Sequence, residues 1–324
     1  MKILFITTKN NHYQGDYFEL TILNGLREIL GNNCVDYPRK DIAYHDFSKI
    51  KKKNLHGQGF TLLNRAIDDI ANRNQVFEDN KFDFVLYGCG HAYGEDVFVD
   101  DIDAYAKYGS WVLDGHDLYG DAPQKNVYNS EEIISNQYPF SFKREMVFNE
   151  KNIYPSGFGI PEHLIKPLDF KCKNQVFQKT YPKYSFFENP TDLGGNKNHH
   201  LFTNEDDYFS DLSKSWFGLS CKKGGWDSLR NYEIIASGTL LLYRDYKNKP
   251  KLCSPQALPA LSYSSEKQLN NLTKRLVENN QPSSEYIRIL QAQREWLYRF
   301  GTTKARAAHI LQVLSDVKKS YLIN

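Results

Sequence analysis

The chain is poor in sulfur, with two methionines and five cysteines among 324 residues. The cysteines stand at 34, 89, 172, 221 and 253, an odd number, and no two form a Cys-x-x-Cys pair. That spacing argues against a disulfide framework and against a zinc site, and it fits a reducing compartment. Long apolar runs are missing as well: no stretch reaches the roughly 18 apolar residues that mark a membrane span. The N-terminal MKILFITT has one lysine ahead of a short apolar core. That is the pattern of a buried first strand, not of a secretory leader. Neither sign of charge is in surplus, since 41 basic and 39 acidic side chains leave a net +2. The broad basic footprint of an obligate nucleic-acid binder is therefore absent. These absences together lead to the expectation of a soluble, cytoplasmic chain.

What is present is enough for two hydrophobic cores. Hydrophobic residues make up 40% of the chain and charged residues 25%. The length suits two domains of about 150 residues each. Short apolar runs at 2–8, 82–87 and 109–113 read as buried strands. Apolar positions at helical spacing over 17–30 (Phe18, Leu20, Leu23, Leu26, Leu30) predict a helix, with Gly31 as its stop. Residues 33–37 read as a second strand and residues 60–73 as a further helix. Beyond residue 165 the pattern repeats, with strands at 183–187, 216–220 and 239–243 and helices near 206–213, 228–237, 284–299 and 303–318. Strand and helix alternating in this way predict two doubly wound α/β units, whose ligands lie beyond the carboxyl ends of the strands.

The richest stretch is 216–243, WFGLSCKKGGWDSLRNYEIIASGTLLLY. A strand ends at Ser220, and a loop with Lys222, Lys223, Gly224 and Gly225 follows. Ser228 is placed to cap the next helix. Glycines ahead of a helix expose backbone N–H groups, and the helix end adds partial positive charge, a combination suited to a diphosphate. Lys222, Lys223 and Arg230 could neutralise that ligand, and Glu233 could accept from a ribose diol. By spacing alone, Arg230 and Glu233 also read as an ordinary surface ion pair one turn apart. The lysine-glycine run likewise reads as a solvated loop.

This segment resembles the donor-binding element of GT-B glycosyltransferases. It is similar to the "glycosyl transferases group 1" domain and its spore-maturation-protein (CgeB-like) relatives. Their R-x-x-E-x-x-A-x-G helix is matched by Arg230, Glu233, Ala236 and Gly238, ahead of the strand 239–243. The ending of those proteins is echoed in Trp296, Thr302 or Thr303, Arg306 and Ala307. The resemblance implies two Rossmann-like domains facing a cleft: an acceptor-side unit 1–162, a donor-binding unit 163–302, and a last helix 303–324 packing back on the first unit. It implies that Glu233 holds the donor ribose and that Arg230 lies near the phosphates. It further implies a metal-independent glycosyl transfer with a nucleotide-diphosphate sugar as co-substrate and no other cofactor. Many retaining members carry a glutamate eight residues before the ribose glutamate. Gly225 stands there instead, with Asp227 the nearest acid, so an inverting reaction is expected.

Inversion needs a base on the acceptor hydroxyl. Candidates follow two strands of the first unit: His91, with Glu95 and Asp96, and the group Asp114, His116 and Asp117. Asp and His past a strand also serve as plain helix or turn caps. His12 and Gly15 could line the acceptor site, while the adjacent His199 and His200 lack a third ligand for a metal. A saccharide or other hydroxyl compound is the expected acceptor. Three alternatives share this fold: a nucleotide-sugar 2-epimerase, an inactive nucleotide-sugar-binding module, and a DNA-modifying glycosyltransferase using the lysines of 49–53.

Overall fold

The computed structural model describes residues 1–7, 17–44, 59–61, 67–79, 81–89, 105–115, 140–147, 149, 151–179, 201–222 and 225–323. The expected strand at 183–187, the lysines of 49–53, and His12, Gly15, His199 and His200 lie outside them.

The first half builds one parallel sheet. Strands β1 (Ile3–Ile6), β2 (Cys34–Tyr37), β3 (Phe84–Cys89), β4 (Ser110–Asp114), β5 (Ser141–Lys143) and β6 (Ile153–Pro155) stand in the order β2-β1-β3-β4-β5-β6. Alternation of side chains divides its apolar residues between two cores. Ile3, Phe5, Phe84, Leu86, Trp111 and Leu113 face helix α1 (Tyr17–Leu30), while Leu4, Ile6, Val85, Tyr87 and Val112 face Phe77 of helix α2 (Arg73–Asp79). Near-continuous apolar strands follow from burial on both faces. The order reverses at the β1/β3 boundary, which is where such sheets hold ligands.

The helix expected over 60–73 is not formed in its described residues. Ile67 makes a parallel bridge to Tyr44, with its N–H donating to the Ala43 carbonyl at 3.0 Å. The helix starts only at Arg73. Apolar residues three apart at Ile67 and Ile70 fit a helix, but pairing with the segment before them buries Ile70 without one.

The second sheet is also parallel, with strands β7 (Gln175–Phe177), β8 (Ser215–Cys221), β9 (Leu240–Arg244) and β10 (Leu261–Tyr263) side by side in chain order. Helices α3 (Glu205–Lys214) and α4 (Leu229–Ala236) cover one face, where Tyr208, Leu212, Ile234 and Leu241 meet. Helices α5 (Glu266–Leu276) and α6 (Ser284–Trp296) cover the other, where Leu269, Ile289 and Leu290 pack on Leu219, Leu240 and Leu242. Two short strands, β11 (Val277–Glu278) and β12 (Gln281–Pro282), pair between them.

A π-helical turn over Leu297–Gly301 leads into the last helix, α7 (Thr303–Ile323), whose Ala307, Ile310 and Leu314 complete the first unit's core beside Leu23 and Leu26. At the crossing, Ile160 donates to the Gly301 carbonyl at 2.9 Å and accepts from Thr303 N–H at 3.0 Å. Among the described residues no helix is long and apolar enough to cross a membrane.

Candidate functional site

Strand β8 delivers the chain to a loop at its carboxyl end. Lys222 is part-buried with Nζ 5.6 Å from the Trp226 ring centre, and Gly225 is buried. Lys223 and Gly224 lie outside the described residues. The rest of the loop is pinned on all sides. The Tyr243 hydroxyl donates to the Trp226 carbonyl at 2.7 Å. Asp227 accepts from the Tyr232 hydroxyl at 2.9 Å and from the Phe158 N–H at 2.8 Å, so both of its carboxylate oxygens serve structure. Ser228 does occupy the N-cap position of α4, but its side chain makes no capping hydrogen bond.

Glu233 is buried in the middle of α4, 7% exposed. The Tyr208 hydroxyl donates to Oε2 at 2.6 Å, and the Thr61 hydroxyl donates to Oε1 at 2.6 Å. Two hydroxyls thus hold one carboxylate, each leaving oxygen lone pairs for a further donor. Burial and the facing Glu233 charge push the Tyr208 phenol well above its ordinary range, so it stays a donor. Arg230 and Glu233 do not form the ion pair their spacing suggests, the two Glu233 oxygens being held by Thr61 and Tyr208. Arg230 lies against the Tyr208 hydroxyl instead, and its Nη1 is buried without a hydrogen-bond partner. A buried guanidinium nitrogen without an acceptor is costly, and an anion would satisfy it.

The facing strand ends belong to the first sheet. Asp114 closes β4, and its Oδ2 accepts from Lys143 Nζ at 2.6 Å, with the pair 19% and 27% exposed. His91, Glu95, Asp96, His116 and Asp117 lie outside the described residues. Arg144, fully buried, ties the two halves together. It donates Nε and Nη2 to the Gly115 carbonyl at 3.1 and 2.9 Å, and Nη1 to the Asp227 carbonyl at 3.0 Å. Its neighbour Glu145 accepts from the Asp227 N–H through Oε1 at 2.9 Å. The strand end carrying Asp114 and the loop leading to Glu233 are therefore held by consecutive side chains. At the β1/β3 boundary a second buried pair, Lys40 Nζ to Glu19 Oε2 at 3.0 Å, packs beside Gly88.

Among the described residues no cluster of His, Cys, Asp or Glu is placed to hold a metal ion. Sequence reasoning missed Tyr208, Thr61, Arg144 and Glu145, because each acts through a contact distant in the chain. The only local signal was Tyr208, one helical turn into the helix ahead of β8.

Two facing parallel-sheet units with a cleft between their strand ends define the GT-B fold. No protein-family model matches the chain, and no curated protein matches it in sequence. Solved structures do match in shape. HepE of Anabaena, crystallised with UDP, is 9% identical with a TM-score of 0.57, over 98% of this chain and 100% of HepE. A glycosyltransferase from Rickettsia africae is 8% identical with a TM-score of 0.53, over 98% and 99% of the two chains. HepE has also been crystallised with UDP-glucose.

Proposed function

We propose that the chain is a glycosyltransferase that moves a sugar from a nucleoside-diphosphate sugar to a hydroxyl acceptor with inversion. One observation carries the reading: a buried carboxylate and an unsatisfied buried guanidinium nitrogen share one turn of α4, in a fold whose solved example HepE holds UDP. Glu233 would take the ribose diol. Arg230, Lys222, the amides around Gly224 and Gly225 and the end of α4 would take the diphosphate. Asp114, His116, Asp117 or His91 would receive the acceptor proton as the acceptor oxygen bonds the anomeric carbon and the diphosphate leaves with its electron pair. The absence of an acid at Gly225 supports inversion. Kinship with the group 1 and spore-maturation families belongs to the same proposal. So does the division into units 1–162 and 163–302 with a closing helix 303–324. A cytoplasmic location is proposed with it, on cysteines that form no disulfide among the described residues.

The engagement of Asp114 by Lys143 favours one second reading, a module that binds the donor without turning it over. Thermal unfolding with UDP, GDP, dTDP, CMP and their sugar conjugates tests both. A nucleotide at 100 times its dissociation constant stabilises the fold by about 2.7 kcal/mol. The expected result is a shift with one nucleotide that disappears in Glu233→Ala. A shift with no nucleotide sinks the donor site. A shift without sugar loss from the conjugate, unchanged by replacing Asp114, His116 or His91, selects the module.

A further inference from the structure

Glu233 already has its two hydroxyls, and they come from different places. Tyr208 belongs to the same body, since α3 packs beside α4 and its ring is buried against Phe209. Thr61 does not. It arrives from the β2–β3 connection of the first sheet, 172 residues away in sequence, and is fully buried. Its neighbours bind the same surface. The Phe60 ring lies 5.8 Å from the Tyr208 ring centre, and the Thr61 N–H donates to Glu205 Oε1 on α3 at 2.5 Å. Thr61 sits there at φ +66°, and Gly59, two residues before it, at +71°. A left-handed conformation suits glycine and is unfavourable for a β-branched residue.

A ribose diol presents a carboxylate with two adjacent hydroxyl donors. The Thr61 hydroxyl makes one of those two contacts. We infer that residues 59–61 are a competing occupant of the nucleoside subsite, with Thr61 standing where a ribose hydroxyl binds Glu233, so that donor binding displaces the segment. This rests on the donor reading of Glu233. The exchange is hydroxyl for hydroxyl, so the carboxylate is never left bare, and the backbone conformation of Thr61 relaxes as the segment leaves. Donor affinity is then set by the fraction of molecules with the segment out. Thr61 is on this view an affinity-determining residue of the site.

The test uses the full chain with UDP, GDP, ADP and dTDP as probes. Affinity is measured by calorimetry for the wild type, Thr61→Val, Phe60→Ala and Glu233→Ala. Hydrogen exchange is followed at residues 59–61 with and without nucleotide. Valine keeps the branched shape and removes the hydroxyl. Thr61→Val is expected to bind nucleotide about tenfold more tightly, the worth of one hydrogen bond to a charged group. Phe60→Ala should move in the same direction, and nucleotide should speed exchange at the Thr61 amide. Binding that depends on Glu233 but is unchanged or weaker in both variants, with exchange slowed, overturns the inference and leaves the donor site standing. No binding in any form, or binding indifferent to Glu233→Ala, removes the donor reading and this inference with it.

Discussion

Tyr208 shows what a single residue contributes here that its position in the sequence does not announce. The four-residue frame of Arg230 and Glu233 was legible because helical spacing puts both on one face. The partner that decides their roles was not, because Tyr208 stands 25 residues earlier on another helix. Its phenol is what separates the arginine from the glutamate. A hydrogen bond to a buried carboxylate contributes about 1.5–3 kcal/mol. Tyr208→Phe should therefore lower the urea midpoint by an equivalent amount and weaken nucleotide binding. In a Glu233→Ala background the same substitution should cost much less, because the coupling between contacting residues is what the cycle isolates. Equal costs in the two backgrounds would assign the effect to the contact of the Tyr208 hydroxyl with Arg230 instead.

At the scale of elements, what could be read was whatever alternates. Strands β1, β3, β4, β8 and β9 are apolar on both faces, α6 carries a clear buried stripe, and α1 and α4 are buried nearly all round, so each stood out as a run. Strands β5, β6 and β7 are three residues long and too short to show a period. Residues 60–73 misled because spacing alone does not distinguish a helix from a bridge with buried residues three apart. How elements approach one another was illegible, and α1 against α7 is the clearest case. A Cβ on Gly25 would lie 2.0 Å from the Thr303 carbonyl oxygen and 2.9 Å from the Ala307 Cβ. The first of these is backbone and cannot step aside, so α7 must move. Overpacking of this kind costs about 1–3 kcal/mol. Gly25→Ala should lower the melting temperature by several degrees, at about 2–4 °C per kcal/mol. An unchanged melting temperature would mean that α7 is not held against α1 at this point.

On the scale of the whole molecule, the two-sheet fold was legible from two rounds of strand–helix alternation, whereas the fastening between the rounds was not. That fastening is the dipeptide Arg144-Glu145 beyond β5, reaching 83 and 82 residues forward to Asp227. Nothing in a lone Arg-Glu pair marks it off from a solvated one. Yet both side chains are fully buried, and Glu145 Oε2 has no hydrogen-bond partner. Burial raises the Glu145 carboxyl above its ordinary value of 4.5, with the Arg144 charge and the Asp227 N–H opposing the rise. The folded chain then holds this proton more tightly than the unfolded chain does. The group's contribution to stability is complete below pH 4.5 and is lost as pH rises through the folded value. Glu145→Gln keeps an oxygen for the Asp227 N–H and carries no charge at any pH. Melting temperatures of the variant and the wild type should therefore stay nearly parallel below pH 4.5 and diverge in the variant's favour as pH rises towards 7. If the difference instead runs the other way, with the variant losing ground as pH rises, the charge of Glu145 is needed against Arg144, and the ion pair rather than the amide contact joins the two sheets.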